Sequence, residues 1–521
     1  MTLTSLAVAL FAILSTVAIL KRIREVIRLK NSIKGIPVRI VLLSYRRTIA
    51  NILYIPYICL GINYPWIHKF DDYERNGCTA HVIVSVTPCH ATLYVADTEA
   101  IKEISTYRPK FPKRTETYRS MGLFGQNIVV SEGEEWKRQR KIAAPAFSEK
   151  NNKLVCTATV NIINELFQNI WGDKQEIIVE HGAHLTIPIA LMVLSVAGFG
   201  NPMTWEADTT PPPGHKLTFA QCLHSVTNDV ILNLTVPTWA LGLTERLRTL
   251  RTANKELKEF ILAVVEERRT KQKHDDRWDL LTNLIDASEA DDNEYAKLSN
   301  SELVGNIFVY LVAGHETTAH GLCYTLGLLA LHPEEQEKLH DHIKSVLGDR
   351  DPVYEDLNSL PRVLACFYES IRLFQPAIVI PRVAAQDTTF HVSSTKDDDD
   401  TTTAVTVPKG SDILAHSVGL HYNPKIWPEP EKFKPERFLG AWNRDAFFSF
   451  SSGPRACIGR KFGETEAVTV LAMLISRYKV EIKPEPQFAN ESFNERYNRI
   501  FKSNSMVTLT PDLVPLVFKR R

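Results

Sequence analysis

The chain has 521 residues, of which 44% are hydrophobic and 23% are charged. This length is enough to bury a large core, and because no glycine-rich or serine-rich linker divides the chain, we expect one large, mostly helical domain. The net charge of +1 lacks the basic excess of nucleic-acid-binding proteins, so no nucleic acid is expected as a partner. The eight cysteines are scattered without a Cys-x-x-Cys pair, which suits a reducing compartment.

Residues 1–24 are predicted to form a membrane anchor. The segment 3–20 is apolar and uncharged, close to the roughly 20 residues that a helix needs to cross a bilayer. Basic residues follow between positions 21 and 30, and by the positive-inside rule they place the remaining chain, 25–521, in the cytosol. A cleaved signal peptide is the alternative, but no basic residue precedes the apolar segment and no clear small-x-small cleavage site follows it.

The segments after the anchor are predicted to be short and irregular. Residues 49–66 are apolar but interrupted by two prolines, which fits a surface dipping into lipid headgroups, or the wall of an access channel, better than a second span. Residues 80–95 are rich in β-branched side chains and predict a small sheet, and 97–106 predict a short helix. Residues 119–131 and 198–242 contain glycines or prolines among apolar residues and predict loops.

Trp136 and Arg140 are predicted to lie on one face of a helix, because they are four residues apart in a strongly charged segment. An indole N–H and a guanidinium on the same face could together hold a carboxylate. The alternative is an ordinary amphipathic surface, which a tryptophan and an arginine at this spacing would also form.

Residues 299–332 predict a single long helix. Ser299 and Glu302 have the spacing of a capping box, and Pro333 stops the helix. About thirty residues at about 1.5 Å each give a rod of about 45 Å, long enough to cross a domain. A transmembrane span is the alternative, but polar side chains near the middle of the segment would be costly in lipid.

Those polar side chains follow two small residues, Ala313 and Gly314, which leave room for a flat cofactor and a diatomic ligand. The alternative reading is a polar seam in a core helix. His315 and Glu316 also look like the start of a zinc-protease His-Glu-x-x-His motif. The next histidine is His320, however, and five helical steps put the two imidazoles on different faces, so shared zinc ligation is not expected.

Glu369 and Arg372 are predicted to share a helix face, where both charges are costly to bury unless a third group satisfies them. Residues 433–438 supply Arg437 for that purpose. After these come an apolar stretch, 377–380, that is a candidate pocket wall, an acidic run at 396–401 that predicts a solvated loop, and a turn at 407–410 that fits a hairpin in the same small sheet.

The segment 450–459 reads Phe-Ser-Ser-Gly-Pro-Arg-Ala-Cys-Ile-Gly and presents Cys457 in a tight turn. Gly453 and Gly459 allow backbone N–H groups to crowd a thiolate, and the helix predicted to follow directs its positive N-terminus at the sulfur. Arg455 adds a cation that could hold an anionic cofactor edge. A lone buried cysteine is usually inert packing, which is the alternative for Cys457.

The spacing Phe-x-x-Gly-x-Arg-x-Cys-x-Gly resembles the haem-binding loop of the cytochrome P450 superfamily, the haem-thiolate monooxygenases. Its matching residues are Phe450, Gly453, Arg455, Cys457 and Gly459. Four further motifs stand in the family's order, at 136–140, 313–318, 369–372 and 437. The resemblance implies a mainly α fold with a small β region, preceded by an N-terminal transmembrane helix, with haem b between the long helix and the cysteine loop.

The resemblance also implies roles for individual residues. Cys457 is expected to bind the haem iron through its thiolate, and Glu316 and Thr317 are expected to relay protons to dioxygen. Expected contacts of the haem are Trp136, Arg140, Arg382, Arg455, Phe450, Gly453 and Gly459. The expected structural network is Glu369, Arg372 and Arg437. Candidate substrate contacts are Leu123, Phe124, Ile128, Ala313, Ile378 and Val379.

The activity implied is the insertion of one oxygen atom from dioxygen into a hydrophobic small molecule, on the cytosolic side of the endoplasmic reticulum membrane. Electrons are expected from NADPH through a membrane-bound flavoprotein reductase. The apolar entry surface suggests a hydrophobic substrate such as a terpenoid, polyketide or lipid, and the chain resembles fungal secondary-metabolism members. A haem-thiolate isomerase or dehydratase that uses no dioxygen is one alternative, which the Glu316 and Thr317 pair disfavours. A non-enzymatic haem-binding sensor is the other.

Overall fold

The computed structural model describes residues 3–47, 50, 53–205, 210–270, 278–289, 297–396 and 401–521. Residues 49, 51 and 52 of the apolar segment 49–66, and the acidic residues 397–400, lie outside the described residues, as do positions 1 and 2 of the expected anchor. The chain divides into two compact units, and each is described by itself.

Helices form most of the described chain. In chain order they are α1 Leu3–Ser32, α2 Tyr64–His68, α3 Asp71–Asn76, α4 Thr98–Thr106, α5 Gly133–Ala143, α6 Glu149–Glu165, α7 Gly182–Phe199, α8 Phe219–Asn228, α9 Val230–Thr235, α10 Glu245–Thr270, α11 Leu280–Glu289, α12 Asn300–Leu331, α13 Pro333–Leu347, α14 Pro361–Leu373, α15 Ser417–His421, α16 Arg460–Arg477 and α17 Phe493–Ile500.

The strands are short and belong to four sheets. In chain order they are β1 Val38–Leu43, β2 Ala80–Thr87, β3 His90–Val95, β4 Glu176–Val179, β5 Ile380–Val383, β6 Thr388–Ser393, β7 Thr402–Val407, β8 Asp412–Ala415, β9 Tyr478–Ile482, β10 Ser503–Ser505, β11 Leu509–Pro511 and β12 Leu516–Arg520. The prediction of a mainly α fold with a small β region is confirmed.

The first unit comprises Met1–Arg114, Ala377–Glu431 and Asn443–Ala456. Its five-stranded sheet has the order β1-β2-β3-β8-β5, with β1 parallel to β2 and β3 parallel to β8. One face packs on α4, whose Ala100, Ile101 and Ile104 join the buried core, and the last turns of α1 reach the same core through Val26. The predictions of strands over 80–95 and a helix over 97–106 are therefore confirmed.

The turn at 407–410 does not close a hairpin of this sheet, and that prediction is wrong. Strand β7 pairs antiparallel with β6, from Thr388 opposite Val407 to Ser393 opposite Thr402, as a separate two-stranded sheet. The turn instead leads from β7 to β8. Alternate residues of β6 are buried and exposed, so its register is set by one buried face rather than by the turn.

Helix α1 continues beyond the predicted segment to Ser32, and its apolar side chains before residue 21 are mostly exposed. Two described helices are long and apolar enough to cross a membrane, Thr4–Ser32 and Gly182–Phe199, and most of the second is buried within the protein. An apolar helix at the N-terminus has the character of both a membrane anchor and a signal sequence, so the anchor stays a prediction.

The second unit comprises Thr115–Pro376, Lys432–Trp442 and Cys457–Arg521. Helix α12 runs through its core for 32 residues and packs against α7, α14 and α16. The capping box is present, because the Ser299 hydroxyl accepts from the Glu302 N–H at 3.2 Å and the Glu302 carboxylate accepts from the Ser299 N–H at 2.8 Å. The helix ends before Pro333, so its prediction is confirmed.

Two segments predicted as loops are partly helical. Residues Thr115–Gly122 form a 3₁₀ helix with a kink at Tyr118, and only the residues after them are irregular. In the segment 198–242, α7 ends at Phe199, and the next helix, α8, begins at Phe219. A capping box formed by Thr218 and Gln221 stabilises its N-terminus. That Thr-x-x-Gln spacing is a helix signal in the sequence that outweighs the nearby prolines.

Candidate active site

Cys457 is the one exposed cysteine among the eight of the chain, all of which the structure describes. The protein around the sulfur raises the pKa of the thiol, whereas a hydrogen bond from the Gly459 backbone N–H and the positive charges of Arg140 and Arg460 act in the opposite direction. A cysteine kept for packing would be buried, as Cys323 and Cys366 are. The structure therefore disfavours inert packing for Cys457 and leaves its thiol accessible, and its role as an iron ligand stays a prediction.

The residues before Cys457 belong to the first unit and form a tight turn. Gly453 has φ of +68°, and a Cβ there would lie 2.7 Å from the Ser105 carbonyl oxygen, so only glycine fits without strain. Its own carbonyl accepts from the Ala456 N–H at 3.0 Å. Phe450 packs edge-on against Phe447, with ring centroids 6.3 Å apart. Close backbone packing thus explains the glycine in this motif.

The remaining predicted residues of the first unit lie in or beside β5 and the turn. Arg382 is buried in β5 and donates to the Pro381 carbonyl at 3.0 Å, whereas Arg455 is half-buried. Ile378 is buried and Val379 is half-buried. Their roles toward a haem or a substrate stay predictions.

In the second unit, Trp136 and Arg140 lie on α5, with Trp136 buried and Arg140 half-buried. Burial lowers the pKa of Arg140, and its charge interacts with Cys457 and with Tyr310 of α12. Phe147 lies between α12 and the cysteine loop. Its ring centroid is 5.6 Å from that of Tyr310 on α12, and its ring edge is 3.6 Å from where a Cβ of Gly459 would be. The structure therefore brings Arg140, Cys457 and α12 together.

Helix α12 is buried from Leu303 to Val312 but opens at the predicted motif, where Ala313 is exposed and Gly314, Glu316 and Thr317 are half-buried. The Thr317 hydroxyl donates to the Ala313 carbonyl at 2.7 Å, and that of Thr318 donates to Gly314 at 3.3 Å. Side-chain bonds of this kind compete with helical ones and loosen the helix locally. The accessible part of the helix therefore includes the Thr317 hydroxyl, next to the buried Thr318.

The two small residues of the motif have different surroundings. A Cβ on Gly314 would lie 3.1 Å from the Leu194 side chain of α7, so Leu194 occupies the space beside Gly314. Of the two small residues, only Ala313 is exposed. On another side, Gly463 of α16 approaches Thr318, whose hydroxyl would be 3.4 Å from a Cβ there. The helix that begins after Cys457 thus passes directly beside the opened motif.

The candidate substrate contacts Leu123, Phe124 and Ile128 pack near the first half of α12. The Phe124 ring meets that of Phe308 edge-on at 4.7 Å, and the Ile128 N–H donates to the Asn306 side chain at 3.0 Å. Leu123 is exposed, whereas Ile128 is buried. These contacts lie more than one helical turn before Ala313, and whether they touch a substrate stays a prediction.

The structure brings Glu369, Arg372 and Arg437 into one buried network. Arg372 donates to the two carboxylate oxygens of Glu369 at 2.6 and 2.9 Å, and Arg437 donates to Glu369 at 3.2 Å. The backbone N–H of Lys434 adds a fourth bond at 2.9 Å. Glu369 and Arg372 are fully buried, so each charge depends on these partners.

Two polar features at α16 were missed from the sequence. Arg460 donates to Glu464 at 2.6 Å and to the Tyr368 hydroxyl at 2.8 Å, which holds a cation three residues after Cys457. Glu466 is fully buried, its carboxylate oxygens have no hydrogen-bond partner among the described residues, and burial raises its pKa well above 4.5. Arg460 could have been found from its spacing to the cysteine, but nothing in the sequence marks Glu466 as unpaired.

Replacing Glu466 with glutamine is expected to make the protein more resistant to alkaline pH. Because its folded pKa is raised, the stability that protonated Glu466 contributes is present below about pH 4.5 and is lost as the pH rises through the folded pKa. Glutamine cannot ionise, so the gain in melting temperature over the wild type should grow from about pH 5 to about pH 9. A gain of equal size at every pH, or one matched by the exposed control Glu259→Gln, would contradict this.

Comparison with known proteins was consistent with these observations. A sequence model of the family described as Cytochrome P450 matches residues 66–501. The chain is 46% identical over 470 residues to a cytochrome P450 monooxygenase of the fungus Postia placenta, covering 90% of each chain. It is 28% identical to cyclooctat-9-en-7-ol 5-monooxygenase of Streptomyces melanosporofaciens, covering 74% of this chain and 79% of that one. It is 26% identical to secologanin synthase 1 of Catharanthus roseus, covering 80% and 78%.

Proposed function

The chain belongs to the cytochrome P450 family, and from that premise we propose that it is a membrane-anchored haem-thiolate enzyme that oxidises a hydrophobic small molecule in fungal secondary metabolism. Family and relatives make it a monooxygenase, an oxidoreductase. The endoplasmic reticulum location, the hydrophobic substrate and the NADPH-dependent flavoprotein reductase are parts of the proposal. The observation that carries it is the exposed Cys457 thiol in its glycine-bounded loop.

The residues of the second unit fit a haem group. Cys457 offers an accessible sulfur with an N–H donor and two cations nearby, and Ala313 provides an exposed small side chain on the adjoining long helix. Trp136 and Arg140 supply the donors that a propionate needs. When bound, the haem supplies the activation of dioxygen, and thiolate ligation favours cleavage of the O–O bond. We include Arg382, Arg455, Phe450 and Gly453 among the proposed haem contacts because they match the family's motifs.

Protein residues must also supply protons, because the reduction of dioxygen consumes them. In the proposal the Thr317 hydroxyl would pass its proton to dioxygen and take a proton from the Glu316 carboxyl through water, which leaves Glu316 as a carboxylate to be protonated again from solvent. The position of Thr317 supports this role, because its hydroxyl lies at the opening of the helix, where it donates to the Ala313 carbonyl. Glu316 directly precedes Thr317 in the chain and is half-buried, so it is partly open to solvent.

Replacing Thr317 with alanine is expected to lower the product formed per NADPH by about tenfold, with the electrons recovered as hydrogen peroxide. The measurement uses the haem-loaded full-length protein with a reductase and a substrate that the wild type converts. Thr325→Ala is the matched control, because Thr325 makes the same bond to the carbonyl four residues earlier, at 2.7 Å, but is fully buried. Equal coupling in both variants would remove Thr317 from the mechanism.

Two features support a membrane setting and a hydrophobic substrate. The exposed side chains of α1 are followed, in the first unit, by further exposed apolar residues at Leu53, Tyr57 and Ile67. Together they give an apolar surface on the segment next to the anchor. The Streptomyces relative is named for a reaction on cyclooctat-9-en-7-ol, which makes a terpenoid a reasonable first substrate class.

The reaction itself is tested by isotope labelling. Co-expression with neighbouring biosynthetic genes identifies the substrate, and turnover under ¹⁸O₂ is then expected to place one labelled oxygen atom in the product. A converted but unlabelled product would instead indicate an isomerase or dehydratase. Binding of haem without any NADPH consumption in the presence of a reductase would indicate a sensor.

A further inference from the structure

A buried tyrosine of the long helix carries a hydroxyl that no described residue satisfies. Tyr310 lies on α12 and is only 7% exposed. Its hydroxyl has no hydrogen-bond partner among the described residues. An unpaired buried hydroxyl is costly, so a native protein rarely keeps one without a reason. A partner from outside the chain would provide that reason.

Tyr310 shares one face of α12 with the two residues proposed to lie at the haem. Residues three and seven positions apart fall on the same side of a helix, so Tyr310 is aligned with Ala313 and Thr317. At about 1.5 Å per residue, Tyr310 is about 4.5 Å along the helix from Ala313 and about 10 Å from Thr317. Its ring also faces toward the cysteine loop, because Phe147 lies between Tyr310 and Gly459. A flat group along this face would therefore pass Tyr310 as well.

Arg140 of α5 is the charged residue that acts on the Tyr310 hydroxyl. The groups that act on the Arg140 guanidinium are Tyr310 and Cys457, and no described carboxylate is among them. Arg138, two residues earlier, is by contrast paired with Glu302. A guanidinium has five N–H donors and no acceptor, and a protonated phenol is a donor as well. Arg140 and Tyr310 thus offer neighbouring donors without an acceptor, an arrangement that a carboxylate fits.

The protonation states of both groups suit a carboxylate. Burial raises the pKa of the Tyr310 hydroxyl, and Arg140 acts in the opposite direction, so the phenol keeps its proton near pH 7. Burial lowers the pKa of the Arg140 guanidinium, and Cys457 and Tyr310 act in the opposite direction, yet an arginine stays charged at this pH. A carboxylate would accept a neutral hydrogen bond from one group and a charge-assisted bond from the other.

We propose that Tyr310 is a further haem-binding residue, whose hydroxyl donates a hydrogen bond to the propionate that Arg140 holds. The inference rests on the proposed haem site and adds to it a contact from the long helix. Trp136 and Arg140 both belong to α5, so the donors proposed so far in the second unit come from one helix. A bond from α12 would fix the haem edge relative to Ala313 and Thr317, and therefore relative to the hydroxyl proposed to supply protons.

Replacing Tyr310 with phenylalanine is expected to speed haem loss about tenfold, because it removes one bond to a charged group and keeps the ring. The haem-loaded full-length protein is mixed with excess apomyoglobin, and the transfer of haem is followed by absorbance. Tyr324→Phe is the matched control, because Tyr324 is a fully buried tyrosine of the same helix whose hydroxyl donates to Ser503 at 2.8 Å. Its rate of haem loss should stay close to that of the wild type.

A second measurement observes the propionate itself. The resonance Raman spectrum of the ferric haem contains a propionate bending band whose frequency rises with hydrogen bonding to the carboxylate. In Tyr310→Phe this band is expected to shift to lower frequency, whereas in Tyr324→Phe it should stay in place. A haem loosened only by a packing defect would not show this difference. An unchanged rate of haem loss, or an unmoved propionate band, in Tyr310→Phe would overturn the proposal.

A double-mutant cycle tests whether both donors hold the same carboxylate. Haem loss is measured for Arg140→Gln, for Tyr310→Phe and for the double variant. Groups that share one partner are coupled, so the effect of the double variant should differ from the product of the single effects by more than about twofold. Effects that multiply to within about twofold would place the Tyr310 hydroxyl on another group, and the proposal would fail.

These outcomes are separate from the test of the function on which the inference rests. If the wild type binds no haem, the proposed haem enzyme fails, and this inference fails with it. If the wild type retains its haem and Tyr310→Phe releases it at the same rate, only the contact of Tyr310 is refuted and the haem site stands. Faster loss with a shifted propionate band in Tyr310→Phe, and neither change in Tyr324→Phe, supports the proposal.

Discussion

Replacing Glu369 with alanine is expected to lower the free energy of unfolding by about 3–5 kcal/mol. The carboxylate accepts bonds from Arg372, from Arg437 and from the Lys434 backbone, and Glu369 and Arg372 are fully buried. Alanine would leave the Arg372 guanidinium charged in the core without its bidentate partner. The same change would remove two of the hydrogen bonds that join the segment 432–442 to α14.

This loss is measured by denaturation of the haem-loaded protein and by the yield of folded protein. Glu337→Ala is the matched control, because Glu337 also receives two bonds from one arginine, Arg521, at 2.7 and 2.9 Å, but at the surface. Exposed pairs of this kind contribute about 0–1 kcal/mol. A loss for Glu369→Ala no larger than that of the control would show that the buried network does not hold the fold.

Replacing Cys457 with serine is expected to abolish NADPH-driven turnover while leaving the fold intact. Serine removes the one exposed thiol among the eight described cysteines, and an alcohol oxygen is a far poorer electron donor to iron. Since the thiol is exposed and fills no core space, the melting temperature of the apoprotein should change little. Cys89→Ser, at a half-buried cysteine of the first unit, should keep both turnover and stability.

The features that were predictable from the sequence are those with short-range signals. Helix α12 could be bounded because its capping box and Pro333 lie within a few residues of its ends. Gly453 could be recognised as essential because φ of +68° is a local property of a turn. The spacing around Cys457 likewise predicts an iron ligand from neighbouring residues alone, and that role stays a prediction. Signals of this kind lie within a few residues of the feature, so they can be recognised without knowing which distant residues pack against it.

Features that depend on distant packing could not be predicted. The partner of β7 is β6 rather than the strand that follows, because the choice depends on which face is buried. The space beside Gly314 is occupied by the side chain of Leu194, which is 120 positions away in the chain. The small size of Gly314 therefore serves helix packing rather than a cofactor. A cavity of about 460 Å³ against α12 likewise collects residues from α7, α8 and α12 that share no sequence motif.

Whether Cys457 binds haem iron can be decided by one absorption spectrum. The full-length protein, expressed with haem and purified, is reduced and exposed to carbon monoxide, with Cys457→Ser treated in the same way. We expect the wild type to show the long-wavelength Soret band of a thiolate-ligated haem and the serine variant to lack it. A wild-type spectrum without that shift, or a serine variant that retains it, would contradict the assignment of Cys457 as the iron ligand.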